Sequence, residues 1–151
     1  MGGYVHKPVR WNREAALLWT AGQRDAALKL CLEALDATDD SDPDAFIQPG
    51  FYAFQLERFD VATAVLESGL AKFPDHPMIL LSLGSAYSRW HKHRRAVPVL
   101  ERFLALGIVD ASAFDGLATS YQGVGDPIRA RLFGTMSLNE KDALTKDRRG
   151  S

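Results

Sequence analysis

A repeat of about 34 residues is the feature that most restricts what this chain can fold into. Four alanines recur at a nearly constant spacing, at Ala27, Ala62, Ala96 and Ala130. A large apolar side chain precedes each alanine at one fixed separation, at Trp11, Phe46, Leu80 and Phe114. Because two independent sets of markers share one period, the chain is predicted to consist of four similar repeats.

The third and fourth repeats show the pattern most clearly. The third reads Leu80-x-x-Leu83-Gly84-x-x-Tyr87, and the fourth reads Phe114-x-x-Leu117-Ala118-x-x-Tyr121. This resembles the tetratricopeptide repeat, whose pattern of aromatic, Leu-Gly, Tyr, Ala, Phe and Pro residues is matched in part by each repeat. The resemblance covers residues 8–144. It implies an all-α fold in which antiparallel helix pairs stack into a right-handed superhelix.

Apolar spacing and turn residues within each repeat also predict a pair of helices. Leu28, Cys31 and Leu35 form a helical stripe, and Gly22 and Gly125 mark turns between paired helices. The predicted pairs are 8–21 with 24–37, 43–56 with 59–73, 77–90 with 93–106, and 111–122 with 127–145. The repeats themselves are predicted at 8–42, 43–76, 77–110 and 111–144. They form one repeat domain over 8–145, between an N-terminal extension at 1–7 and a frayed tail at 146–151.

Two prolines conflict with this helical pattern. Pro49 falls inside the first helix of the second repeat, where a proline removes a backbone hydrogen bond and is expected to kink the helix. Pro98 lies early in a second helix, close to the first turn where proline is tolerated. The period predicts that both helices form.

Composition excludes several classes of protein. The chain has 18 Lys and Arg residues against 19 Asp and Glu residues, so it lacks the basic footprint of a nucleic-acid-binding protein. One cysteine is too few for a disulfide framework or a Cys-only zinc cluster. The apolar runs are too short to span a bilayer, and the N-terminus has no apolar signal segment. We therefore expect a soluble cytoplasmic protein with neither a nucleic-acid nor a membrane partner.

The resemblance implies that the first helix of each pair lines a concave groove. The repeat register then assigns the candidate partner-binding residues, which are Arg13, Trp19, Gln48, Phe51, Phe54, Leu81, Ser85, Arg89 and Gln122. The register also places Ser88 and Asp115 on the side of their helices that faces the groove. The residues that line such a groove are aromatic in the first repeats and polar in the last ones. This arrangement suits an extended or helical peptide that is anchored by apolar side chains. The alternative is that one or more of the aromatic residues packs between helices.

A more specific mode of recognition is not expected. Some tetratricopeptide adaptors hold a peptide C-terminus with a two-carboxylate clamp of Lys, Asn and Arg side chains. The equivalent positions here are Asn12, Ala16, Phe51, Met78 and Ser82. Only isolated donors such as Arg13 and Arg89 remain, so recognition of that type is disfavoured.

No pattern in the chain indicates catalysis. The basic run His91–Arg95 is interpreted as a solvated turn, with a phosphate or acidic-partner site as the alternative, and it has no third metal ligand. The acidic stretch 36–44 lacks the spacing of a calcium loop. Cys31 lies on an apolar stripe and reads as a core residue. Gly123-x-Gly125 follows no strand, so no nucleotide site is expected. We predict no catalytic, cofactor or metal site.

The predicted function is therefore a non-catalytic scaffold or adaptor that binds a protein or peptide segment. Two alternatives stay open: the repeats are the N-terminal scaffold of a larger bacterial enzyme such as a glycosyltransferase, or a chaperone of the type III secretion kind. Self-association into a homo-oligomer is a further alternative, because stacked repeats expose apolar ends where caps are incomplete.

Overall fold

The computed structural model describes residues 7–37 and 42–150, and these residues form eight α-helices and no strand. The helices are α1 (Lys7–Thr20), α2 (Arg24–Ala37), α3 (Asp44–Gln55), α4 (Phe59–Lys72), α5 (Pro77–Arg89), α6 (His93–Leu104), α7 (Ala111–Gly123) and α8 (Pro127–Arg149). Apart from the end of α8, every helix begins and ends within two residues of its predicted position. The predicted all-α fold is confirmed.

A few sequence predictions fall on parts of the chain outside this description. Residues 1–6 of the predicted N-terminal extension lie outside the described residues, whereas Lys7 already opens α1. Asp39 and Asp40 of the acidic stretch also lie outside them, as does the side chain of Trp11.

The chain divides into two compact halves, Met1–Ile79 and Leu80–Ser151. In the N-terminal half, α1 packs against α2, α3 packs against α4, and both α1 and α2 contact α3. In the C-terminal half, α7 packs against α6 and α8. The four repeat alanines are all buried, as the marker pattern requires, and the core around them is formed by the larger side chains Leu28, Leu66, Leu80, Leu100 and Leu117.

A glycine allows α3 and α4 to pack closely. Gly50 of α3 is buried, and a Cβ added to it would lie 2.7 Å from Cγ of the buried Leu66 on α4. Real Cβ atoms do not approach so closely, so a larger residue would force the two helices apart. The small residue predicted at this register position thus has a packing role.

The turn inside each helix pair has the same backbone conformation in all four repeats. One residue of each turn adopts a positive φ: Gly22 at 85°, Glu57 at 58°, His91 at 61° and Gly125 at 85°. These positions recur with the same spacing as the repeat alanines, so the repeat visible in the side chains is also present in the backbone. Glycine adopts this left-handed region without cost, whereas Glu57 and His91 adopt it at a cost of about 1 kcal/mol.

Aspartate side chains begin the helices of the fourth repeat. The carboxylate of Asp110 accepts hydrogen bonds from the backbone N–H groups of Ser112 and Ala113, and that of Asp126 accepts one from Arg129. Each bond satisfies an amide that has no partner within its helix.

The C-terminal boundary of the last helix corrects one prediction. Helix α8 continues to Arg149, so residues 146–149 are helical where the sequence suggested a frayed tail. Lys146, Arg148 and Arg149 lie in its last turn, where positive side chains stabilise the negative end of the helix dipole.

Pro49 does not end α3. The helix runs through it from Asp44 to Gln55, and the proline ring is fully buried. Burial of the ring and its neighbours offsets the backbone hydrogen bond that proline cannot make. Pro98 is likewise accommodated inside α6.

Candidate functional site

An aromatic cluster joins α1 to α3 in the N-terminal half. The rings of Trp19 on α1 and Tyr52 on α3 stack with their centroids 4.3 Å apart and their planes within 8°. Phe51 lies beside both, with its ring centroid 6.4 Å from that of Trp19 and 6.0 Å from that of Tyr52. Aromatic pairs at these separations stabilise a structure by about 0.5–1.5 kcal/mol beyond their buried area. The three rings therefore form one packed cluster.

The three rings differ in how much of each side chain is exposed to solvent, and this difference separates core residues from a candidate binding residue. Tyr52 is 4% exposed and belongs to the core, and Trp19 is half-buried. Phe51 is 48% exposed although two other rings surround it. Its exposed surface is apolar and is held in place from behind, which is the arrangement that a binding anchor requires.

Polar contacts fix the buried side of the cluster. The Gln48 side-chain amide donates to the Tyr52 hydroxyl at 2.6 Å and reaches the backbone carbonyl of Asn12 at 3.5 Å. Burial raises the pKa of the Tyr52 hydroxyl, which outweighs the lowering effect of the Gln48 hydrogen bond, so the hydroxyl stays protonated. Gln48 thus links α1 and α3.

A cation covers part of the tryptophan. The guanidinium carbon of Arg24 lies 5.1 Å from the Trp19 ring centroid, within the range of a cation–π interaction. Trp19 is therefore in contact with Arg24, Tyr52 and Phe51. The residue that was predicted to line the groove thus also packs against neighbouring side chains.

The remaining predicted residues of this half lie apart from the cluster. Phe54 is half-buried and packs edge-on against Phe59 at the start of α4, with ring centroids 5.9 Å apart. Arg13 is exposed on α1. The structure brings Trp19, Gln48 and Phe51 together and leaves Phe54 and Arg13 outside the cluster.

The predicted residues of the C-terminal half lie on α5 and α7. Leu81 and Ser85 are half-buried on α5, whereas Arg89 is exposed at the end of that helix and Gln122 is exposed near the end of α7. The aromatic cluster of this half lies elsewhere: the Phe133 ring on α8 stacks on Tyr121 with centroids 5.6 Å apart and lies 6.3 Å from Phe114. None of the predicted residues belongs to that cluster.

Two further positions assigned by register have structural roles instead. Ser88 is buried, and its hydroxyl donates to the carbonyl of Gly116 at 3.4 Å, linking α5 to α7. Asp115 accepts hydrogen bonds from Ser137 at 2.6 Å and Lys141 at 2.9 Å, linking α7 to α8. Partial burial raises the pKa of Asp115, but these hydrogen bonds outweigh it and leave the pKa below its usual value.

Sequence reasoning did not assign a role to Tyr52 or Arg24. Tyr52 is the residue after Phe51, so a helical wheel places Tyr52 on the side of α3 that faces the core. In the sequence, only the hydroxyl group of Tyr52 indicates a polar link. Arg24 follows shortly after the turn at Gly22. Its contact with Trp19 depends on how that turn folds back, which the residue pattern does not specify.

The cysteine lies in the core, as its place on an apolar stripe predicted. Cys31 is fully buried, and burial raises the pKa of its thiol to about 12, so it is a core residue rather than a nucleophile. Among the described residues, no group of three or more His, Cys, Asp or Glu side chains is arranged to hold a metal ion. No described helix is both long enough and apolar enough to cross a membrane.

Comparison with known proteins supports the fold. No family model and no curated protein matches the sequence. Among solved structures, MamA 41-end from Desulfovibrio magneticus RS-1 is 22% identical with a TM-score of 0.77, and the alignment covers 85% of this chain and 72% of that one. TTC0263, a thermophilic TPR protein in Thermus thermophilus, is 20% identical with a TM-score of 0.69, and that alignment covers 88% of this chain and 74% of the other. The chain therefore has the helical repeat fold of tetratricopeptide proteins.

Proposed function

We propose that this protein is a non-catalytic interaction scaffold that binds a peptide or protein segment, with Phe51 as the main anchor. The observation that supports this proposal is the half-exposed Phe51 ring beside the stacked pair Trp19 and Tyr52. An isolated exposed aromatic side chain needs no explanation, but one held by two other rings is already ordered before a partner arrives.

This order matters for affinity. Fixing a side chain at an interface costs about 0.5–1.5 kcal/mol, and a side chain that is already immobile avoids much of that cost. Aromatic residues also dominate interface energies because they bury a large apolar area with few rotatable bonds. Phe51 combines both properties, so a partner with one apolar side chain can gain substantial binding energy there.

The surroundings of Phe51 suit a peptide with mixed chemistry. Ala16 on α1 and Gln55 on α3 are exposed on the helices that carry the cluster, whereas Arg13 adds a positive charge six residues before Trp19 on α1. A backbone carbonyl of a bound peptide accepts from Gln55, while an apolar side chain contacts Phe51. Peptide backbone and one apolar anchor are therefore the ligand features that we propose.

The predicted partner-binding residues of the C-terminal half are more polar. Ser85 occupies the register position of Phe51 one repeat later, and Gln122 occupies that of Phe54 two repeats later. In this proposal Ser85, Arg89 and Gln122 contribute specificity through hydrogen bonds rather than most of the binding energy, and Leu81 is the apolar residue among them.

The test begins with peptides selected by display on the purified protein. We expect selected peptides to contain an apolar residue whose replacement abolishes binding, and we expect Phe51→Ala to weaken binding at least about tenfold, the loss of about 1.4 kcal/mol. Leu17→Ala is the matched control, because Leu17 is also apolar, lies on α1 and is 67% exposed. Circular dichroism should show unchanged helical content for both variants.

Two outcomes would contradict the proposal. In the first, the Phe51→Ala and Leu17→Ala variants bind the selected peptides equally well. In the second, amide resonances that shift on peptide binding lie away from α1 and α3.

A further inference from the structure

An open cavity in the C-terminal half is lined almost entirely by basic residues. It has a volume of about 360 Å³ and is formed by the run His91–Arg95 together with Gly123 and Val124. The run covers the turn between α5 and α6, and the two other residues end α7. A cavity of this size is large enough for a small ligand or for one functional group of a larger partner. The cavity and the cluster around Phe51 share no residue.

The positive charges in the cavity are not neutralised by neighbouring acids. In the part of the chain that the structure describes, no carboxylate pairs with Arg94 or Arg95, and both side chains are exposed. Other cations of the same half are paired: Lys141 with Asp115 at 2.9 Å and Arg129 with Asp126 at 3.3 Å. The ammonium group of Lys92 lies 5.1 Å from the Trp90 ring centroid, so in the described part of the chain the positive charge that has no partner in the cavity is that of Arg94 and Arg95.

The start of α6 increases this positive potential. Lys92 is the N-cap residue, its side chain makes no capping hydrogen bond, and the first turn contains no acidic residue. The N-terminus of a helix carries a partial positive charge and favours anions by about 0.3–1 kcal/mol. Arg94 and Arg95 in that first turn oppose the helix dipole, so an anion bound there would relieve an unfavourable arrangement.

One histidine is held in a fixed position in the cavity wall. The His93 ring lies against Gly123, where an added Cβ would be 2.6 Å from Nε2. The ring of His91 packs edge-on against His93, with centroids 5.6 Å apart. Nδ1 of His93 is buried and has no hydrogen-bond partner among the described residues.

The charge of the whole half also favours an anionic ligand. Residues 80–151 contain eleven Lys or Arg residues and seven Asp or Glu residues, whereas residues 1–79 contain seven and twelve. A metal cation would be repelled by Lys92, Arg94 and Arg95. Guanidinium groups instead match the oxygens of a tetrahedral dianion, which they bind through paired hydrogen bonds.

The geometry points to a binding site for a phosphoryl group at the turn between α5 and α6, carried by a phosphorylated side chain of a partner. The cavity exceeds the space that one phosphate ion needs and is open to solvent, so a phosphate attached to a peptide can enter. This site does not depend on the proposed role of Phe51, and the two can be tested separately.

The experiment titrates the isotope-labelled protein with inorganic phosphate and, separately, with acetate at equal ionic strength, which holds screening constant. We expect phosphate to shift the amide resonances of residues 91–95 and of Gly123 and Val124 in a saturable way. Acetate should bind at least about tenfold more weakly. A short peptide containing phosphoserine should bind at least as well as inorganic phosphate, and its unphosphorylated form should not bind.

Variants identify the residues responsible. The double variant Arg94→Ala, Arg95→Ala should lose about tenfold or more in phosphate affinity, because it removes charge-assisted hydrogen bonds, which are stronger than neutral ones. The control is Arg131→Ala, Lys146→Ala, which removes the same charge from exposed positions on α8 and should leave the affinity within about twofold. Gly123→Ala should also weaken binding by displacing His93 while the net charge stays unchanged.

Three results would overturn the proposal. If acetate binds as tightly as phosphate, the cavity is a carboxylate site. If phosphate shifts resonances near every cationic residue without saturation, the effect is ordinary screening. If both double variants lose the same affinity, net charge rather than this cavity determines binding.

Discussion

Gly84 of α5 lies directly against Leu100 of α6, so closely that a Cβ on Gly84 would be 2.5 Å from Cγ of Leu100. Leu100 is fully buried and also contacts Gly116 of α7, so it has little room to move. Gly50 and Leu66 have the same relationship one repeat earlier in the sequence. The second and third repeats thus share one packing pair, formed by a glycine on the first helix and a leucine on the second helix.

Replacing this glycine should therefore destabilise the protein. Gly84→Ala gains about 1 kcal/mol of helix propensity but incurs about 1–3 kcal/mol of overpacking, so we expect a net loss of about 1 kcal/mol. Gly134→Ala is the control, because Gly134 lies inside α8 with no atom near its Cβ position, and it should gain about 0.5–1 kcal/mol. Urea denaturation followed by circular dichroism measures both. Equal gains in the two variants would show that Leu100 moves aside freely.

The turn glycines should behave differently, because their role is conformational. Gly22 has a φ of 85° and no atom within 4 Å of its Cβ position. We expect Gly22→Ala to lower the free energy of unfolding by about 1 kcal/mol, since a left-handed conformation is unfavourable for alanine. Gly22→Asn should lose less, because asparagine tolerates that conformation better. If Gly22→Ala is as stable as the parent in thermal and urea unfolding, the turn does not require a positive φ.

Neighbouring aromatic residues on α3 should differ in their contribution to stability. Tyr52→Ala removes a ring that is 4% exposed and stacked on Trp19, and it leaves the Gln48 amide without its partner. We expect a loss of about 3 kcal/mol or more in the free energy of unfolding. Phe51→Ala should cost less, about 1–2 kcal/mol, since the side chain is half-exposed and loses only its edge contacts with two rings. A larger loss for Phe51→Ala than for Tyr52→Ala would place Phe51 in the core rather than on a binding surface.

Alkaline pH should weaken the fold through its buried thiol. Burial raises the pKa of Cys31 from 9.0 to about 12, so between these values the native state keeps a proton that the unfolded chain loses. The stabilisation is fully present below pH 9 and decreases as pH rises toward 12. Urea denaturation at pH 8 and pH 10 should show this decrease, and Cys31→Ala should reduce it. Part of it should remain in the variant, because the raised pKa values of Tyr52 and Tyr121 act in the same direction.

The helices could be predicted from sequence because the signals that define them are local. The regular spacing of small and large residues, the apolar stripes and the turn glycines each act over a few residues or one helix pair. They predicted the boundaries of eight helices to within two residues, except at the end of α8. There, charged residues that suggested fraying continue the helix instead.

The candidate site could be predicted only in part. Register placed Trp19, Gln48 and Phe51 on one side of their helices, and the structure brings them together. The same register assigned Ser88 and Asp115 to the groove, whereas Ser88 is buried against Gly116 and Asp115 holds α8. Register identifies the face of a helix, but it does not identify which neighbouring helix covers that face.

By itself, the sequence determined the number of repeats, the helices and the turns, because these depend on interactions between residues close together in the chain. Tertiary structure alone decided that Trp19 stacks on Tyr52, that Arg24 covers Trp19 and that His93 rests on Gly123. Each of these contacts depends on the distance and angle between two helices. Those quantities arise from the combined packing of many side chains, and no single spacing in the sequence encodes them.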